Sequence, residues 1–267
     1  MQVISTLSLK GGVGKTTLTL NLGAALKLLG QKVLIVDLDP NNDLTMNLGY
    51  DSSQLKGVEY FLTGDMKFQD IKIPIENNFD LLPAGKRLKD LEISLSRLYT
   101  KNPEFSLLLK QSIENLSVKY DIILVDCPAH SGLLNYNALS LSSWVIIPIQ
   151  CQPMGLRGSK RAVFFTYRIQ SKFNPHLKIL GIVPTMYDGR SKLSAKIYQS
   201  LKHAYGELTT DSIIRVNVSL AEAADEGKTI FQYKPHSRGS SDFKSLGREI
   251  YIRLKRAESQ PSAVPAD

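Results

Sequence analysis

Two lysines five residues apart share one glycine-rich run, Lys10-Gly11-Gly12-Val13-Gly14-Lys15-Thr16-Thr17, and residues of these types at this spacing handle phosphate. A standard phosphate loop reads G-x-x-x-x-G-K-[ST]. Here Leu9 stands in the first glycine's place, so that pattern fails and a second cation is gained. A turn this small does not easily aim both ammoniums at one set of phosphates. The spacing therefore predicts Lys15 for the bound nucleotide and Lys10 for a neighbour's. Lys15 is expected along the β/γ-phosphates, the Thr16 hydroxyl on Mg²⁺ and Thr17 at the α-phosphate. Backbone N–H groups from Gly11 to Thr17 supply the remaining donors.

Carboxylates complete the set. Asp126 follows four apolar residues in Asp121-Ile122-Ile123-Leu124-Val125-Asp126, the pattern of a strand-end aspartate that holds Mg²⁺ directly or through water. Asp37-Leu38-Asp39-Pro40 places two more carboxylates where a strand must change direction. One of them can be buried structurally while the other positions the attacking water, and Asp39 is assigned that second role. Lys10, Lys15 and Asp39 are thus the candidate catalytic residues, and Thr16 and Asp126 the candidate metal ligands.

These residues need elements that bring them together. Val3–Leu7, Lys32–Asp37, Asp121–Asp126, Trp144–Ile149 and Ile179–Val183 read as strands; Leu81-Leu82-Pro83 follows a more irregular stretch. Helical stripes run from the glycine turn to Gly30, and over about 87–99, 104–119, 156–173, 191–205 and 240–256. Alternation of the two predicts an α/β fold with a doubly wound, mostly parallel sheet and helices on both faces, of the P-loop nucleotide-hydrolase type. Ligands of such sheets bind beyond the carboxyl ends of the strands, where Asp37, Asp39 and Asp126 all fall. A single domain is expected over 1–256, with a polar, disordered tail over 257–267.

At 267 residues, 43% hydrophobic and 22% charged, the chain has ordinary globular composition. No run approaches the roughly 18 apolar residues of a membrane span, which predicts a cytoplasmic protein. Cys127 and Cys151 are read as reduced core cysteines, and the four histidines, His130 among them, have no metal spacing. The net charge of +8 is unevenly distributed. Residues 1–150 hold 14 Lys/Arg and 15 Asp/Glu, a net −1, whereas 151–267 hold 19 and 10, a net +9. A basic second half favours a polyanion such as DNA.

With these motifs in place the chain resembles the ParA/MinD group of deviant Walker A ATPases, and within it the ParA/Soj partitioning branch. Lys10–Thr17, Asp37–Pro40 and Asp121–Pro128 carry the resemblance. Ile147–Cys151, Thr185–Arg190, Glu222-Ala223 and Gly227-Lys228 extend it. It implies ATP and Mg²⁺ as ligands and an ATP-dependent homodimer in which Lys10 reaches the partner's phosphates. It also implies non-specific double-stranded DNA binding, nucleoid association, and release by a ParB-like cargo adaptor that stimulates slow hydrolysis.

The branch's DNA-contacting arginine matches Arg190, with Lys192 and Lys196 on the same helix. A second basic position of the branch is replaced by Ser219, so Arg215, Lys228, Lys234 or Arg238 is expected to compensate. The alternative is a MinD-like membrane-positioning ATPase, which needs a basic amphipathic C-terminal helix free to lie on lipid. Residues 243–256 have the amphipathic pattern, but their apolar stripe suits a core.

Overall fold

Apolar runs that lack alternation become strands buried on both faces, as a parallel sheet demands. The computed structural model describes residues 1–99, 101–153 and 155–259, the side chains of Leu156 and Arg157 excepted. In chain order, β1 (Gln2–Thr6) leads through the glycine turn to α1 (Lys15–Leu28) and β2 (Val33–Asp37). Three short helices follow, α2 (Asp43–Met46), α3 (Val58–Leu62) and α4 (Phe68–Ile71), then β3 (Ile73–Glu76) and β4 (Phe79–Leu82). Next come α5 (Leu88–Tyr99), a 3₁₀ turn at Pro103–Ser106, α6 (Leu108–Glu114), β5 (Ile122–Asp126), α7 (Leu133–Leu141) and β6 (Trp144–Gln150). The chain then forms α8 (Gly155–Lys172), β7 (Lys178–Thr185), α9 (Lys192–Tyr205), α10 (Val218–Asp225), α11 (Ile230–Tyr233) and α12 (Arg238–Ser259).

The seven strands lie in the order β3-β4-β2-β5-β1-β6-β7, and only β3 runs antiparallel to its neighbour. The expected doubly wound sheet is the observed one. Alternate residues feed opposite cores, since successive side chains point to opposite faces. Val3, Ile123 and Val125 face the layer of α6, α7 and α8, with Leu109, Leu134, Phe165 and Ile169. Ile4, Ile122 and Leu124 face the other layer, with Leu18, Leu22 and Leu26 of α1 and Phe243, Leu246, Ile250 and Leu254 of α12. Register does the positioning. Asp126 is the Cα partner of Thr6 on one side and of Asp37 on the other, so the ends of β2 and β5 bring two carboxylates side by side next to the end of β1.

Three local differences from expectation have identifiable causes. The single helix expected over 104–119 is a 3₁₀ turn followed by α6, which stops at Glu114. The Asn102 side chain accepts from the Glu104 N–H and fixes the tight turn, and Asn137 Oδ1 accepts from Leu109 N at 3.1 Å where α6 starts. The irregular stretch before Pro83 is the antiparallel β3–β4 pair, turned at Asn78 with φ 61°. Finally, α12 begins at Arg238 and continues to Ser259, past the expected end at Arg256. Of the expected tail, 260–267 lies outside the described residues.

Candidate active site

The glycine turn is shaped for a ligand. Gly14 caps α1 at φ 84° and Gly12 sits at φ 69°, both in the left-handed region where a side chain is strained. A methyl group placed on Gly11, Gly12 or Gly14 would meet nothing within 4 Å, so the loop opens onto free space. The first N–H groups of the 14-residue α1 point into it, at the positive end of the helix dipole. Two neighbours brace the loop from behind. Thr185, at the end of β7, donates to the Val13 carbonyl at 2.8 Å, and the Gln150 amide at the end of β6 donates to the Gly12 carbonyl.

Beneath the loop lies a buried charge cluster. Lys15 Nζ is 3.1 Å from Asp39 Oδ2 and 3.3 Å from Asp126 Oδ1. Thr16 Oγ1 donates to Asp126 Oδ2 at 2.8 Å, and Thr19 Oγ1 to Asp126 Oδ1 at 3.1 Å. Burial alone would pull the Lys15 ammonium down, but the charges of Asp126 and Asp39 outweigh it and hold it above the usual lysine range. Burial pushes the Asp126 carboxyl up, with Lys15 and the Thr16 hydroxyl opposing.

Asp37 is fully buried and faces away from the loop. It accepts from Thr45 N at 2.9 Å and Thr45 Oγ1 at 2.7 Å, and from the Asp39 N–H at 3.2 Å. Burial and the Asp126 charge push its carboxyl up to about 7. The two carboxylates of the Asp-Leu-Asp run thus take different partners, Asp37 in the scaffold and Asp39 at Lys15.

Lys10 is not part of the Lys15 cluster. Its ammonium donates to Gln150 Oε1 at 2.8 Å, so the two lysines of the loop face different partners. Sequence reasoning assigned no role to Thr19, Gln150 or Thr185. Gln150 ends a strand run, which was a positional signal, whereas Thr19 is one threonine on a long helix and carries none.

Beside the start of α1, a cavity of about 380 Å³ is lined by Gly14, Thr17, Leu18, Met186, Val216 and Asn217, among others. A wider cleft of about 830 Å³ lies elsewhere, between α9 and α12. There Lys202 and Arg253 are already paired with Asp211 and Glu249, and no glycine cradle adjoins it.

The expected DNA-facing residues are distributed over a wider surface. Arg190 is 92% exposed at its side chain and leans on Asp188 at 3.2 Å; Lys192 and Lys196 are exposed on α9. Arg215 is instead engaged by the buried Asp242 of α12, with its Nε 3.0 Å from Oδ1, which ties its loop to that helix. Lys228 is exposed beside Glu226 at 3.3 Å, Lys234 pairs with Glu222 at 2.9 Å, and Arg238 is exposed at the start of α12.

A glycine turn at a helix start, a buried lysine and strand-end carboxylates on a mostly parallel sheet are the arrangement of the P-loop nucleotide-hydrolase fold. A family model described as an AAA domain matches residues 1–179. The sporulation initiation inhibitor protein Soj of Bacillus subtilis is 35% identical over 251 residues, 93% of this chain and 98% of that protein. The chromosome partitioning protein ParA of Caulobacter vibrioides is 32% identical over 264 residues, 97% of each. Among solved structures, a cobyrinic acid a,c-diamide synthase from Mycobacterium smegmatis with bound ADP and magnesium superposes with a TM-score of 0.82. It is 29% identical and covers 99% of this chain and 100% of that one. The chain belongs to the ParA/Soj family of partitioning ATPases.

Proposed function

We propose that this protein is a Mg²⁺-dependent ATPase whose ATP-bound dimer holds DNA without sequence preference and lets go when a cargo adaptor stimulates hydrolysis. The buried Lys15–Asp39–Asp126–Thr16 cluster under an open glycine cradle carries this reading. The residues fit the ligand. The cradle offers N–H donors to phosphates, and the 380 Å³ cavity beside Thr17 has room for the nucleoside. The Thr16 hydroxyl and Asp126 carboxylate are hard oxygen donors suited to Mg²⁺. That ion takes one or two carboxylates plus substrate phosphates, so it needs no cage of protein ligands.

When bound, Mg²⁺ supplies neutralising charge at the phosphates. The chain's own residues do the rest. Lys15 cancels charge on the transferred group, and Asp39, held at the cluster's edge, orients the attacking water. Lys10 serves the partner's site, a role its separation from Lys15 permits. Release from Gln150 Oε1 is then the local change that dimer formation must drive.

Arg190, Lys192 and Lys196 form the core of the proposed DNA surface, with Arg215 and Lys228 at its margin. The ParB-like adaptor and nucleoid association come to this chain from its family. The MinD-like alternative finds less support, because the apolar stripe of α12 (Phe243, Leu246, Ile250, Leu254) is spent in the core. Neither cysteine suits nucleophilic chemistry, since burial pushes the thiols of Cys127 and Cys151 up to about 12 and about 11.

The test is an ATPase assay paired with DNA co-sedimentation. Asp39→Ala should retain ATP binding and DNA association while turnover falls about 100-fold or more. Unchanged turnover in that variant would sink the assignment of Asp39.

A further inference from the structure

Six residues separate Asp126 from the start of α7, and this short Cys127–Gly132 loop is gripped from two sides. From α7 itself, Asn135 Nδ2 donates to the carbonyls of Pro128, at 3.1 Å, and His130. From α5, the Glu92 side chain, only 12% exposed, reaches across to the same loop, where Oε2 lies 3.5 Å from His130 Nε2. Glu92 Oε1 is buried and finds no donor among the described residues. That oxygen presses against Gly132: a methyl group on Gly132 would sit 2.1 Å from it and 2.6 Å from the His130 ring. Gly132 is also the N-cap of α7 and provides no side-chain cap of its own. The Glu92 carboxylate lies against this N-cap instead, so a side chain from another helix faces the positive end of α7.

A carboxylate placed this way costs desolvation. Burial indeed holds the Glu92 carboxyl above the usual carboxylate range, with His130 and the Leu134 N–H opposing. Packing alone does not call for it, because an apolar side chain of similar size fills such a space without the penalty. Its carboxylate meets His130 and Gly132, both in the loop that leaves Asp126. The Asp39 charge is near enough to act on it as well.

Resting on the ATPase reading above, we propose that Glu92 is a positioning residue for turnover. It braces His130, Gly132 and the start of α7 from α5, and so fixes the path of the chain leaving Asp126 without touching nucleotide.

The experiment uses the full-length protein with Mg²⁺ and ATP, reading kcat and KM together with equilibrium binding of a fluorescent ATP analogue. Glu92→Ala should lower kcat at least fivefold while KM and analogue affinity stay within twofold. Glu92→Gln, which keeps the shape and one acceptor oxygen, should recover kcat to within about twofold of the unaltered protein. Gly132→Ala leaves Glu92 in the chain but displaces it, and should lower kcat as Glu92→Ala does; it carries the test if Glu92→Ala does not fold. Turnover within twofold of normal in the alanine variants overturns the proposal, and so does a fall in kcat matched by lost analogue binding. No turnover in the unaltered protein would defeat the ATPase reading itself, and the proposal with it.

Discussion

Lys15 is the residue on which the site's electrostatics turn, because it is the cation that both Asp39 and Asp126 contact. Removing it should abolish nucleotide binding and leave two buried carboxylates uncompensated. For Lys15→Ala we expect a loss of about 3 kcal/mol of folding stability, measured by urea unfolding without nucleotide. Asp37 gives a pH signature. Its carboxyl sits at about 7 in the fold against 3.8 unfolded, so the folded state binds the proton more tightly between those values. Stability from this group is greatest at low pH and declines as pH rises from about 4 through 7. Asp37→Asn removes the titration. The stability of Asp37→Asn relative to the unaltered protein should therefore increase between pH 5 and 7.5, measured in EDTA; a difference independent of pH would show that Asp37 stays ionised throughout. The role of Asp37 was half legible beforehand. The motif Asp37-Leu38-Asp39-Pro40 announced one buried and one active carboxylate, but the lock that decides between them is Thr45, eight residues on.

At the scale of elements, the glycine turn works because β6 and β7 hold it from behind and α12 backs α1. Gln150 couples two things at once, the Gly12 carbonyl and the Lys10 ammonium. Gln150→Ala should raise KM for ATP severalfold through a looser cradle, readable in steady-state kinetics. α12 is built into the core, since Leu246 is fully buried against the sheet. Leu246→Ala should cost about 3 kcal/mol in chemical denaturation with little effect on KM. The main strands and long helices were readable because period 2 or 3.6 and buried apolar runs leave marks in sequence. The β3–β4 edge, the break before α6 and the helix α7 were not. Those depend on a left-handed Asn78 at the β3–β4 turn and on the Asn102 and Asn137 side chains meeting backbone groups, one of them far along the chain.

For the whole molecule, the net +9 of residues 151–267 against −1 of residues 1–150 sets a basic half apart from the half that carries the glycine turn. If DNA is held by that charge, affinity should fall linearly in log–log plots against salt, by a slope of about −0.9 per phosphate neutralised. Arg190→Glu should weaken DNA binding about tenfold or more at moderate salt while ATP-dependent dimerisation, followed by light scattering, is unchanged. By itself the sequence determined the phosphate loop, the strand-end aspartates, the α/β alternation and the asymmetric charge. These are local patterns, in which a residue's neighbours along the chain fix its chemistry. Only the tertiary structure decided which partner each group takes: Lys15 between Asp39 and Asp126, Lys10 on Gln150, Arg215 on Asp242, and Glu92 against the loop after Asp126. Pairings of that kind follow from strand register and helix docking, which bring together residues tens to more than a hundred positions apart.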